Sequence, residues 1–185
     1  MAHPNPEFRR RARALAESQW GEPVSVVYLG DVKPEYDIPG RRKDGTIKGK
    51  RLVRRFFWNL LRGTAGGVAS IALTLASGEL AHAFVRWGRV TGPANAQALA
   101  LVDAARPAKS PWLVYSESHV GVIETGYSFY DPKDSPPAEF LWQAAKPDAP
   151  VVRPTAHSLT WPDGSVYEYH LDESERKFQR EAHSA

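Results

Sequence analysis

Residues 111–126, PWLVYSESHVGVIETG, decide how the rest of the chain is read. A short run led by Trp112 and rich in β-branched and aromatic side chains meets a polar turn, and a second apolar run, HVGVIET, follows it. That pattern predicts an antiparallel hairpin. Further on, HSLTW and SVYEYHL flank Pro162, Asp163 and Gly164, the residue types of a tight turn, which predicts another hairpin. Between the two lie YSFY (127–130), a Pro/Asp loop and EFLWQAA (139–145), which keep the β character. The chain closes on DESERKFQREAHS as a helix. Asp172 caps it, Glu175 sits three residues on as in a capping box, and Phe178 supplies the apolar contact.

Toward the N-terminus, PVSVVYLG (23–30) has the length and composition of a further strand. Residues 5–20 read as a helix: Asn5 can cap, Pro6 takes the first helical position, Glu7 suits the positive end of the dipole, and Gly21 stops it. Phe8, Ala12, Leu15 and Gln19 form one stripe, with Arg9, Arg10, Arg11 and Arg13 spread around it. Residues 31–50 carry two prolines, several glycines and dense charge, and read as a loop. TGPANAQALALVDAARP (91–107) reads as a helix with Ala98, Leu101, Val102 and Ala105 along one side and Pro107 as terminator.

The composition changes sharply between these parts. Residues 41–62 hold nine Lys/Arg and one acid, Asp44, and run straight into the uncharged stretch 63–78, which is rich in Gly, Ala and Ser. Within KGKRLVRRFFWNLLRG, helical spacing puts Arg51, Arg55, Trp58 and Arg62 on one face, and Val53, Phe56, Phe57, Leu60 and Leu61 on the other. Gly66, Ser70, Thr74 and Gly78 then recur at every fourth position, a spacing that lets another backbone approach and permits self-association. Residues 63–85 have the length of a membrane span. Glu79, His82 and the weakly hydrophobic opening GTAGG argue against one, and the expectation is a packed helical hairpin.

The chain has 185 residues, enough for one domain with a large insertion, and no cysteine, which excludes disulfides, thiolate metal sites and cysteine nucleophiles. Its net charge of +3 conceals a split: residues 1–62 hold 14 basic and 7 acidic side chains, residues 63–185 hold 10 and 14. The basic part is therefore suited to phosphates, of lipid or of nucleic acid. The start, MAHPNPEFRRRARALAE, has no apolar core of signal-peptide length, so a cytoplasmic protein is expected, peripheral at the inner face of the membrane where it attaches.

Short antiparallel strands closed by a capped C-terminal helix resemble the pleckstrin-homology-like (PH-like) superfamily, whose bacterial members show an aromatic-led strand, a tight turn and an apolar strand such as PWLVYSESHVGVIETG. They also end in a Gly-turn hairpin before the last helix, as LTWPDGSVYEYHLDESERKF does here. The resemblance covers about residues 111–183, with 23–30 as a first strand. It implies an α+β fold: residues 1–22 as an N-terminal helix, and 23–185 as a PH-like β domain interrupted at about 41–107 by a basic, helical insertion. Lipid-binding members use a basic loop between their first two strands, and the insertion would put the basic run 41–55 near that end. No binding residue is carried over from the family.

The function expected is a non-enzymatic adaptor or scaffold module, attached to an anionic phospholipid surface or a protein partner. The site residues are Arg41, Arg42, Lys43, Lys48, Lys50, Arg51, Arg54, Arg55, Phe57, Trp58 and Arg62. A nucleic-acid-associated protein using the same patch is the alternative. The competing plain reading is a helix packed through its apolar side with solvated arginines. His119 and Glu117 lie in a turn beside Glu124, where acid–base work would need an orienting third group that spacing does not reveal. The six histidines lack metal-ligand spacing, and GTAGG lacks the Lys-Ser/Thr of a P-loop. No catalytic residue, metal or cofactor is therefore assigned. Core filling is expected of every tryptophan except Trp58.

Overall fold

The computed structural model describes residues 4–47, 88–127 and 131–183. Of the expected site, Lys48, Lys50, Arg51, Arg54, Arg55, Phe57, Trp58 and Arg62 lie outside the described residues, as do Gly66, Ser70, Thr74 and Gly78.

The 111–126 hairpin forms as read: β4 (Pro111–Tyr115) and β5 (His119–Glu124) pair antiparallel, with Trp112 opposite Ile123. They are the middle of a four-stranded antiparallel sheet, flanked by β1 (Ser25–Tyr28) on one side and β6 (Glu139–Ala145) on the other. The continuous apolar character of this hairpin has a packing cause, because the sheet is covered on both faces. Trp112, Val114 and Ile123 face helix α1 (Pro6–Trp20) and pack on Phe8, Ala12 and Ala16. Leu113, Val120 and Val122 face a larger cluster shared with the second sheet. Trp112, fully buried, donates its indole N–H to Thr125 Oγ1 at 2.8 Å, so its one polar atom is satisfied inside the core. A bulge opposite Val122 and Ile123 leaves Phe140 with the α1 cluster while Leu141 and Trp142 both pack on the larger one.

The second sheet holds β2 (Glu35–Asp37), β3 (Arg89–Thr91), β7 (Val151–Arg153), β8 (Ser158–Thr160) and β9 (Val166–Glu168) in the order β2-β3-β9-β8-β7. All pairs are antiparallel except β2 with β3. The Pro162–Gly164 hairpin joins β8 to β9, closed by Trp161 N–H donating to Ser165 O at 2.9 Å. Helix α2 (Ala98–Ala105) inserts Leu101, Val102 and Ala105 into the larger cluster, and α3 (Glu173–His183) ends the chain. The molecule is thus α+β, two sheets with three helices among the described residues. None of these helices is long and apolar enough to cross a membrane.

Several expectations need correcting. Residues 31–50 are not all loop: Tyr36 is buried in the larger cluster, and three residues of strand form because Val90 offers a parallel partner. The segment expected as a basic, helical insertion at about 41–107 also contains a strand, since β3 lies between β2 and β9 in the second sheet. The helix read over 91–107 begins only at Ala98, because Thr91 is the end of β3. In α1 the buried stripe is Phe8, Ala12 and Ala16, while Gln19 is exposed and bonds Gln143. Arg9, beside that stripe, has a side chain only 12% exposed. Its guanidinium donates to Val26 O at 2.6 Å, pairs with Glu175 and lies 4.0 Å over the Phe178 ring. The capping box of α3 is half formed. Asp172 Oδ1 accepts from Glu175 N–H at 2.7 Å, but the Glu175 carboxylate turns to Arg9 and Gln179 instead.

Candidate functional site

Three described members of the expected basic site, Arg41, Arg42 and Lys43, sit in a loop that covers the free edge of β2. Tyr36 N–H donates to Lys43 O at 3.1 Å, and Arg41 bridges to Ile47. Covering an edge strand this way satisfies its outward N–H and blocks pairing with other chains. Asp44, the one acid of the run, holds the turn by accepting from Thr46 N–H at 2.9 Å and Thr46 Oγ1 at 2.7 Å. These bonds, the hydroxyl's first, pull its carboxyl below the usual range.

The three cations have different fates. Arg41 makes a bidentate pair with Asp103 on α2, at 3.0 and 2.8 Å, and its guanidinium lies 5.6 Å from the Tyr36 ring. Its side chain is only 15% exposed, so it ties the loop to α2 and is not presented to a surface. Lys43 reaches Glu35 at 2.8 Å but remains mostly exposed. Arg42 is exposed and has no salt bridge among the described residues. Geometry therefore separates Arg41 from the docking role that composition assigns it. Ile47 is half exposed, and the Gly88 carbonyl, just before β3, accepts from Glu35 N–H at 3.0 Å.

The expected His119 neighbourhood forms, with a different partner. Glu124 is spent on Lys109 N–H and Ser110 N–H, at 2.7 and 3.1 Å, while the carboxylate beside His119 is Glu22, from the α1–β1 connection. Glu22 Oε1 accepts from the hydroxyls of Ser116 and Ser118 and lies 2.9 Å from His119 Nδ1. The two hydroxyls, then the imidazole, hold the Glu22 carboxyl down at about 2. A carboxylate can only accept, so Nδ1 carries the proton. Trp20 stacks on the imidazole with centroids 5.1 Å apart. Ser118 Oγ lies on the Nδ1 side, at 2.8 Å, and not beside the Nε2 that would act as base. Hydroxyl, imidazole and carboxylate therefore converge on one oxygen and do not form a relay. The cluster clamps the β4–β5 turn to the end of α1.

A third feature was not singled out from sequence. A groove of about 680 Å³ runs between α3 and the β7–β8 turn. Val27, Pro154, Tyr169 and Leu171 line it, with His157, Arg176 and Arg180 as its basic groups and Glu173 as an acid. His157 adopts φ 48, a conformation uncommon outside glycine, and its ring lies 5.8 Å from that of Tyr169. Burial first, then Arg176, lowers the proton affinity of both His157 and His170. The spacing of Arg176 and Arg180 is a legible signal on a helix, whereas His157 is brought there by a turn that sequence did not reveal.

No protein-family model, curated protein or solved structure matches this chain.

Proposed function

We propose that the protein is a non-enzymatic adaptor or scaffold module that attaches to anionic membrane through residues 42–62. The observation that carries the reading is the composition of that run: cations interleaved with Phe57, Trp58 and other large apolar residues, with Asp44 as its one acid. Arg41 is withdrawn from the binding set because Asp103 and Tyr36 occupy it. At the start of the run, Arg42, Lys43 and Ile47 are exposed, which supports the same reading. Two packed sheets ending in a helix support a PH-like relationship, which stays part of the proposal.

Each cation near an anionic surface contributes about 1 kcal/mol before screening, and the aromatics favour the headgroup boundary. Reversing Arg51, Arg54 and Arg55 to Glu should therefore weaken liposome binding by at least about 100-fold, since the loss exceeds about 3 kcal/mol. Sedimentation with phosphatidylserine vesicles measures this. Unchanged pelleting removes the membrane reading, and a shift of duplex DNA without pelleting moves the patch to nucleic acid.

A further inference from the structure

We propose that the groove between α3 and the β7–β8 turn binds a phosphate group carried on an apolar body. The reasoning is independent of residues 42–62. Val27 of β1, Pro154 of the β7–β8 turn, Tyr169 just past β9 and Leu171 just before α3 form its apolar lining. Arg176 and Arg180 stand one turn apart on α3, and His157 faces them from the opposite wall. A phosphate, with three acceptor oxygens and a charge approaching −2, can accept from all three at once, and its larger charge is held more strongly by two arginines than a carboxylate's single charge.

The arrangement is held in place before any ligand arrives. Arg176 Nε donates to Leu171 O at 2.8 Å and its Nη2 lies 2.9 Å from His170 Nε2, which fixes the plane of the guanidinium. His157 is held by its own N–H to Pro154 O at 3.2 Å and by Tyr169 N–H donating to its carbonyl at 2.9 Å. An arginine whose direction is preset loses less freedom on binding. Burial first, and then the same guanidinium, lowers proton uptake by both neighbouring histidines. Glu173 stands on the wall as well, and it disfavours a ligand that covers the first turn of α3.

The test is titration of the full chain, followed by amide chemical shifts, with hexyl phosphate, inorganic phosphate and hexanoate. Hexyl phosphate should shift residues 155–157 and 176–180 and bind at least tenfold more tightly than either other probe. The double variant R176Q/R180Q should lose at least tenfold in affinity. R180Q alone, which leaves the Leu171 contact intact, should lose a smaller part with unchanged circular dichroism. Vesicles containing phosphatidic acid form a second arm: competition with hexyl phosphate at this groove identifies a lipid headgroup, and its absence identifies a soluble phosphate ester. Equal affinity for inorganic phosphate overturns the role of the apolar lining. Binding indifferent to both arginine variants, or none at millimolar hexyl phosphate, overturns the site.

Discussion

Replacing Arg9 with alanine tests what attaches the C-terminal helix to the rest of the molecule. Arg9 projects from α1 past the edge of β1 and meets Glu175 of α3, with side-chain exposures of 12% and 2%. Its guanidinium also donates to Val26 O at 2.6 Å and lies over two rings, 4.0 Å from Phe178 and 5.2 Å from Trp112. Removing it leaves a buried carboxylate to which Gln179 Nε2 still donates at 2.8 Å. Breaking a buried pair from one side costs about 3–5 kcal/mol, because the surviving charge is desolvated without compensation. That is a large part of the 5–15 kcal/mol typical of a folded domain.

Urea denaturation followed by tryptophan fluorescence measures the loss. With a slope of about 2 kcal/mol per molar, the midpoint of R9A should fall by roughly 2 M. The double variant R9M/E175L separates the explanations. If the cost of R9A is the stranded charge, an apolar pair should recover stability to within about 1 kcal/mol of the parent, short only of the Val26 hydrogen bond. A loss below about 1 kcal/mol for R9A, or a double variant no better than the sum of the singles, refutes the reasoning. The result bears on the phosphate groove as well, since α3 forms one of its walls and R9A should weaken hexyl phosphate in proportion to its effect on that helix.

Gly88→Ala should prevent folding, since φ is +96° and an added Cβ would stand 2.1 Å from Glu168 O in the β9 partner strand. Gly164→Ala has φ +80° with nothing within 4 Å, so it should cost only about 1–2 kcal/mol, and soluble expression with thermal melts compares the two. Glu22 contributes stability that is present above its ordinary value of 4.5 and is lost as pH falls toward about 2, because the folded value is the lower one. Glu22→Gln should therefore flatten the acid limb of a melting-temperature profile between those two values, and an unchanged limb would discount the clamp.

What sequence could and could not disclose follows from where each determinant sits. α1 was legible because its signals are neighbours in the chain: Asn5 accepts from Glu7 N–H at 3.0 Å and Gly21 takes φ 71, both as its residue types require. The start of α2 was not legible. Its first amides are capped by Asp163 and Ser165, 66 and 67 residues away, with Gln97 N–H donating at 2.8 Å and Ala98 N–H at 3.1 Å. The Pro162–Gly164 turn is legible as a hairpin, yet it also serves as the cap of a helix, and that second role exists only once the sheets have met. Charge behaves the same way. Arginines at 9 and 41 look like members of basic runs, and each is claimed by an acid that local sequence does not pair with it, Glu175 and Asp103. A basic run therefore overstates the surface it offers until its internal partners are subtracted. The cations of α3 are the converse case: Arg176 and Arg180 lie in the acidic half of the chain, where net charge argues against anion binding, while the geometry around His157 argues for it. Local placement outweighs the sum, because screening confines a charge's influence to about 8–10 Å at ordinary ionic strength.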